Sequence, residues 1–445
     1  MNPQEDKILI LSTEDKEGGA VMRTMNIVEA LRSEGYNTAL LVKKKHTSLP
    51  YVYEVPVPPR PSRIHRFLKS LCASKKTDIC READQKYCVF YHECETAQVY
   101  SSELVASTSP FVPTLIISCM TKEFVNTTTL LELHKLWNVP IMLDAYDMNV
   151  FTGACHVVWD CKGYETDCTN CPAILNIARR KEVSESFAIR KRNIDEGKMG
   201  VMIASEWSAT KARMSTLFHD KVICNMGMWV NTDLYNNKNR DIAKRIFGIP
   251  TDAKVVFTGS EDIKSKRKGV QFFFKSLVAL WEQLEPSLRE KVYVLLAGNS
   301  IEEMREKIKN LPPFQYKLIE YINDSRLLAL TYQAADVFVC PSQEDAGPQM
   351  VAEALASGTP VVGFPTGIMY DQSFVINGET GYVVDNNNTE QMGAAIAKIL
   401  SYNNASYNAM SKKCRTIATQ KLSVFYSLKQ FQNFDFSNLY QEITQ

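Results

Sequence analysis

Short apolar runs alternate along this chain with longer segments that are apolar on one helical face. Residues 7–12, KILILS, form a run suited to a buried strand. Val21, Met25, Val28 and Leu31 then recur at helical spacing through 21–36. The Gly18-Gly19 turn joins the two, and Gly35 ends the helix before a second strand, TALLVKK, at 38–44. The same grammar gives strands LIISC (115–119), PIMLDAY (140–146) and VMIAS (201–205), with a helix through NTTTLLELHKLW (126–137). It restarts at AKVVFTGS (253–260) and runs through strands KVYVLLAG (291–298), QYKLIEYI (315–322), DVFVCPS (336–342) and TPVVGF (359–364). Helices fall between them, at 269–284, 301–310, 325–335 and 349–358. Strands and helices in strict alternation predict parallel sheets covered on both faces.

Length divides this pattern in two. The chain has 445 residues, which suits two units of roughly 200 residues each. The polar stretch NTDLYNNKNRD (231–241) reads as the hinge, with the boundary near 220–240. The expected division is residues 1–225, residues 236–415, and a tail, 416–445, packing back toward the first unit. Ligands of open parallel sheets bind at the carboxyl ends of the strands, so a pair of such units predicts a site in the cleft they form. Composition narrows the class. Hydrophobic residues make up 45% and charged residues 23%, with a formal net charge of +1. That is a globular protein with no global field for nucleic acid. The apolar run from Ile8 to Leu11 is too short for a signal peptide, and no run reaches the roughly 18 residues of a spanning helix. A cytoplasmic protein is expected, at most peripheral to the inner face of the cytoplasmic membrane. Most of the 12 cysteines should then be reduced, with Cys119, Cys224 and Cys340 filling the core.

Candidate chemistry concentrates at residues 341–364, PSQEDAGPQMVAEALASGTPVVGF. Pro348 stands where a helix starts, a position that tolerates the missing N–H. The amides of Gln349, Met350 and Val351 would point out of that start toward phosphate or sugar oxygens. Asp345 and Glu353 flank it, and carboxylates accept paired sugar hydroxyls. A solvated helix residue and an N-cap are the plainer readings of the same two carboxylates.

This segment resembles the donor-binding signature of glycosyltransferase family 4, whose members are retaining enzymes of the GT-B fold, two Rossmann-like domains. The family carries an acidic residue, seven intervening residues and a glutamate, followed by EAxAxGxPVV. Here Asp345 replaces the usual first glutamate, with Glu344 beside it, and Glu353-Ala354, Gly358 and Pro360-Val361-Val362 follow. The resemblance implies that Glu353 holds the donor ribose and Asp345 the donor sugar, with Gly347 in the same loop. Gly18-Gly19-Ala20 resembles the family's early GGA turn and puts Gly19 at the donor. Lys268 matches the lysine that meets the donor diphosphate, and Arg267 or Lys264 is the candidate for its arginine partner. The implied reaction moves a hexosyl group from a nucleotide sugar, UDP- or GDP-linked, to a glycan or lipid-linked glycan, in surface polysaccharide synthesis. No D-x-D motif stands at a strand end, so no catalytic metal is expected. A non-catalytic glycan- or nucleotide-binding protein is the alternative. An oxidoreductase is disfavoured, because Gly18-Gly19 lacks the G-x-G-x-x-G spacing.

A second segment, 151–175, contains Cys155, Cys161, Cys168 and Cys171. A terminal C-x-x-C with two upstream cysteines has the grammar of a closed structural zinc site, and reduced cysteines packing a loop are the plainer reading. A subgroup of family 4 reading roughly DMxxxTGxCHxxxxC resembles this insert. Where many members carry a histidine before the aspartate, this chain has Tyr146-Asp147. His156 remains as a candidate catalytic residue at the donor or acceptor, or as a residue that merely orients the loop. Cys72, Cys80, Cys88, His92 and Cys94 are spaced too irregularly for a metal. Between 60 and 81, Arg60, Arg63, His65, Arg66, Lys69, Lys75, Lys76 and Arg81 alternate with Ile64, Phe67, Leu68 and Leu71. That is the pattern of a basic amphipathic helix for an anionic membrane surface, or of an ordinary solvated helix.

Overall fold

A computed structural model describes residues 1–16, 18–58, 83–89, 95, 100–436 and 439. The basic stretch at 60–81, and with it Cys72, Cys80, His92 and Cys94, lies outside them. The chain folds as two compact units. The first comprises Met1–Ile203, Ser208–Met226 and the chain from Gln430 on; the second comprises Ala204–Trp207 and Gly227–Lys429.

The first unit is built on a seven-stranded sheet. Its strands are β1 (Lys7–Glu14), β2 (Asn37–Lys44), β3 (Val52–Glu54), β4 (Leu115–Ser118), β5 (Ile141–Asp144), β6 (Gly200–Ile203) and β7 (Ile223–Asn225). Their order is β3-β2-β1-β4-β5-β6-β7, and all the pairings are parallel. Leu9 pairs with Ala39 on one side and Ile116 on the other. Ile8 to Leu11 are fully buried, which is why this run shows no polar alternation. The helix Gly19–Ser33 follows β1, and Val21, Met25, Val28 and Leu31 lie on its buried face.

The second unit repeats the plan with six strands. They are β8 (Lys254–Gly259), β9 (Val292–Ala297), β10 (Gln315–Ile319), β11 (Val337–Cys340), β12 (Val361–Gly363) and β13 (Gly381–Val383), in the order β10-β9-β8-β11-β12-β13. In both sheets the order reverses beside the first strand, between β1 and β4 and between β8 and β11. Each reversal opens a crevice at the carboxyl ends of its two strands. The short strands β3, β7 and β13 escape periodicity because three residues hold no repeat. The stretch 231–241 is not wholly a linker. Its last two residues begin the helix Arg240–Ile246, and Arg240 is tied into the second unit through Asp336 and the Ala335 carbonyl.

Candidate functional site

In the second unit, the loop after β8 and the loop after β11 meet at the reversal point. The first of these turns at Gly269, whose φ of +64° starts the helix Val270–Gln283. A β-carbon there would overlap the Pro341 carbonyl oxygen, so only glycine brings this loop against the end of β11. Lys268 and Arg267, just before it, are thereby aimed at Asp345. Lys268 Nζ lies 2.7 Å and Arg267 Nη1 2.9 Å from the same carboxylate oxygen. Burial alone would push Asp345 up, but the two cations outweigh it and hold the carboxyl below its ordinary range. Asp345 is nearly sealed, while the two cations stay about one-third exposed, at 29% and 32%. The carboxylate thus anchors two positive charges that remain open to a ligand.

The same geometry separates the basic candidates. Lys264 pairs with Glu303 at the surface, so Arg267 is the partner of Lys268. Glu344 does not replace Asp345 at this cluster; its backbone carbonyl lies 3.4 Å from Arg267 Nη1. Thr366 bonds both the amide and the carbonyl of Asp345, fixing the loop from the β12 side. The Gly347 amide donates to the Asp345 carboxylate, so Gly347 also orients the cluster.

Pro348 is the N-cap of the helix Gln349–Ala356. The expectation of three outward amides is corrected at Val351. Its N–H bonds the Pro348 carbonyl at 2.9 Å, because the first turn tightens there. Among the described residues, no backbone bond of the kind that holds Val351 engages the amides of Gln349 and Met350. The Gln349 side chain is buried with its Oε1 unpaired. Glu353 belongs to this helix and lies on its buried face. Its carboxylate accepts from Tyr332 Oη at 2.9 Å, and Tyr235 also bonds it. Burial pushes this carboxyl up to about 7, against the smaller, opposing pull of the two tyrosines. Sequence reasoning missed both tyrosines, since a tyrosine on an apolar helix face looks like core until a buried carboxyl appears beside it.

In the first unit, a pocket opens at the ends of β4 and β5. Ser118, Asp144, Tyr146, Asp147, Asn149, His156 and Arg190 are among its lining residues. Arg23, from the first helix, makes a two-pronged pair with Asp144 at 2.9 and 3.1 Å, and both side chains are almost completely buried. Gly19 stands where a β-carbon would be 3.6 Å from Tyr146 Oη, so the tyrosine that replaces histidine meets the glycine turn. His156 Nδ1 bonds the Asp147 carboxylate, and that carboxylate also caps the short helix Met148–Phe151 through the Asn149 amide at 2.7 Å. The His156 amide is held by the Tyr87 carbonyl at 3.2 Å. Arg190 was not legible as a functional residue. It reaches Glu95 at 3.1 Å and the Thr152 carbonyl at 2.8 Å, tying the loop after β5 to the helix Arg180–Glu196.

Cys155, Cys161, Cys168 and Cys171 lie in that loop as free thiols. Among the described residues, no three His, Cys, Asp or Glu side chains stand in metal-holding geometry as they are. Cys88, the described member of the second cysteine set, ends a short helical turn at 85–87.

The fold is GT-B, two Rossmann-like units. Sucrose-phosphate synthase from Thermosynechococcus elongatus superposes with a TM-score of 0.65 at 19% identity, covering 96% of this chain and 98% of that one. Anabaena HepE, solved in complex with UDP and glucose, superposes with a TM-score of 0.63 at 15% identity, over 96% and 98%. Within this fold, residues 239–417 match the family described as glycosyl transferases group 1. D-inositol 3-phosphate glycosyltransferase of Thermomonospora curvata is 28% identical over 166 residues, 36% of this chain and 37% of that protein. The enzyme of the same name from Corynebacterium urealyticum is 30% identical over 171 residues, 36% and 38% of the two chains. The chain thus spans well under half the length of these relatives.

Proposed function

We propose that this protein is a hexosyltransferase that moves a sugar from a UDP- or GDP-sugar to a glycan or lipid-linked glycan, with retention at the anomeric carbon. The observation that carries the reading is the pair Arg267–Lys268, about one-third exposed and held by Asp345 at the β8/β11 reversal, beside the start of the helix Gln349–Ala356. In the reaction the bond from the anomeric carbon to the diphosphate breaks, and a bond to an acceptor hydroxyl forms. Negative charge grows on the departing diphosphate. Two cations already in place meet that charge without reorganising, which is worth most in the transition state. The acceptor proton leaves with the reaction, and the departing phosphate oxygen is basic enough to take it.

The other residues fill supporting roles. Gln349 Oε1, buried without a donor, suits a sugar hydroxyl. Glu353, oriented by Tyr235 and Tyr332, serves the ribose. Glu344, Gly347, Met350 and Val351 shape the donor loop. The pocket at the ends of β4 and β5 takes the acceptor, with His156 held by Asp147 to receive one of its hydroxyls. No residue set here is assigned a catalytic metal. None of the described helices is long and apolar enough to cross a membrane. Work at the inner membrane face, in surface polysaccharide synthesis, is part of the proposal.

The test is transfer from a panel of UDP- and GDP-hexoses to oligosaccharide, lipid-linked and inositol phosphate acceptors, read by mass spectrometry of products. Turnover with one donor, lost in Lys268→Ala, supports the reading. Tight nucleotide binding with neither transfer nor donor hydrolysis across the panel would replace it with a non-catalytic binding role.

A further inference from the structure

In the family that the donor loop resembles, the first acid of the loop is a glutamate at the donor sugar. Here it is Asp345, and its placement does not suit that role. One oxygen, Oδ2, takes both cations, Lys268 Nζ at 2.7 Å and Arg267 Nη1 at 2.9 Å. The Gly347 amide is a third donor to the same carboxylate. A carboxylate offers roughly four acceptor positions, so little is left for the paired hydroxyls of a hexose. Only 10% of the side chain is exposed. An aspartate is also one methylene, about 1.5 Å, shorter than a glutamate. Its carboxylate therefore stops at the cations.

The backbone gives Asp345 no freedom to swing toward a sugar. Its amide bonds Thr366 Oγ1 at 3.0 Å, and the same hydroxyl lies 3.2 Å from its carbonyl oxygen. Gly367, at φ +54°, packs against it from the loop after β12. A β-carbon there would stand 2.7 Å from the Asp345 carbonyl oxygen and 2.4 Å from the Pro348 ring. The next residue is fixed as well, because Ser205 Oγ donates to the Ala346 carbonyl at 2.7 Å. On the cation side, the Gln343 amide donates to the Arg267 carbonyl at 2.9 Å and joins the two loops through their backbones. Both loops are thus locked in the register that sets carboxylate against cations. What the carboxylate supplies there is aim. Lysine and arginine side chains carry much rotamer freedom, which a diphosphate would otherwise have to freeze on binding. Asp345 freezes it beforehand and still leaves the cluster one net positive charge.

We propose that Asp345 is a positioning residue, which holds Arg267 and Lys268 in place for the donor diphosphate and makes no contact with the donor hexose. The inference rests on the donor reading of this site given above. It takes the Asp345 carboxylate out of hexose recognition, which falls to other groups of the loop, Gln349 Oε1 among them. Sugar specificity and diphosphate activation are then separable, because no one side chain serves both.

Calorimetry on the full chain tests this, with UDP, GDP, UDP-glucose, UDP-galactose and GDP-mannose as probes. Asp345→Asn keeps the size of the side chain and removes its charge. In the absolute affinities the aim lost and the positive charge gained oppose each other, so the decisive reading is a ratio. The affinity for a nucleotide sugar, divided by that for its bare diphosphate, should match the unaltered chain within about twofold. At saturating donor, kcat, read as transfer or as donor hydrolysis, should fall by about tenfold or more, since misaimed cations cost most in the transition state. If Asp345→Asn does not fold, the triple change Arg267→Ala, Lys268→Ala and Asp345→Asn, which leaves no charge of the cluster unmatched, is read by the same ratio. A nucleotide sugar that weakens about tenfold or more beyond its diphosphate would put Asp345 on the hexose and overturn the proposal, with the donor reading intact. So would an unchanged ratio together with an unchanged kcat. If the unaltered chain binds none of the five probes, the donor reading itself fails and takes this inference with it.

Discussion

Each unit places an aspartate beside the reversal point of its sheet and pairs it with a cation, yet the two pairs do opposite things. In the first unit, Asp144 and Arg23 shut each other away, with side chains only 1% and 2% exposed. In the second, Asp345 is sealed but its partners Arg267 and Lys268 are about one-third exposed. A pair this deeply buried spends most of its charge on itself. A carboxylate holding two cations leaves a net positive charge and accessible N–H groups. The difference lies in where the cation comes from. Arg23 rises from the buried face of a helix, whereas Arg267 and Lys268 sit on a loop turned outward by Gly269.

Breaking the sealed pair should have the largest effect. Asp144→Asn leaves a buried guanidinium without its counter-charge and should cost about 3–5 kcal/mol of stability in chemical unfolding. The double change Arg23→Met with Asp144→Leu should recover most of that loss, since a buried pair and an apolar pair of similar volume are near equal in energy. If the single change costs nothing, the seal is not structural and the contrast fails.

The open pair should behave the other way round. Lys268→Ala should lower kcat at saturating donor by about 100- to 1,000-fold, while the melting temperature moves little because the side chain is partly solvated. A normal kcat with intact folding would return this lysine to the surface charges. A third, smaller effect concerns the pocket of the first unit. His156→Asn should raise the acceptor KM by about tenfold, ~1.4 kcal/mol, by removing one oriented hydrogen-bond partner, and leave the donor KM unchanged. Loss of donor affinity instead would move His156 to the donor.

Glu353 sharpens the comparison most gently. Its carboxyl titrates at about 7 in the folded protein against an ordinary value of 4.5. A folded-state value above the unfolded one means that the native protein holds the proton more tightly. Its contribution to stability is complete below the ordinary value and declines as the pH rises through about 7. Unfolding curves between about pH 5 and pH 8 should show stability falling with pH, and Glu353→Gln should remove that part of the slope. An identical slope in the variant would show that the carboxyl is not the titrating group.

Much of this was legible in the chain. The fully buried runs at Ile8–Leu11 and Val255–Phe257 announce parallel strands, and their alternation with amphipathic helices gives the two-unit plan. Lys268 and Asp345 stand out through the resemblance of their segments to a family signature, and the structure pairs them. What stayed hidden was partnership across long separations. Nothing local tells Arg23 that it will meet Asp144, 121 residues on, or Arg190 that it will meet Glu95. The Val351 amide was misjudged for a related reason, because helix periodicity does not reveal that a first turn will tighten onto Pro348. Likewise Glu353 reads from sequence as a ligand-facing acid, and only the fold shows that two tyrosine hydroxyls reach it first.

The return of the last residues to the first unit sets a timetable for synthesis. Phe431 is fully buried and packs edge-on to Tyr36 with ring centroids 6.0 Å apart, and Leu439 fills the space that the missing side chain of Gly200 leaves. Neither can arrive until the whole second unit, residues 227–429, has left the ribosome. At about 5–20 residues per second that interval is roughly 10–40 s. For that time the earlier-made sheet waits with an apolar gap at Tyr36 and Gly200, while the second unit, all of whose strands come from one unbroken stretch, can close at once. The half of the molecule made first is therefore the half finished last, and chaperone demand during translation should centre on it.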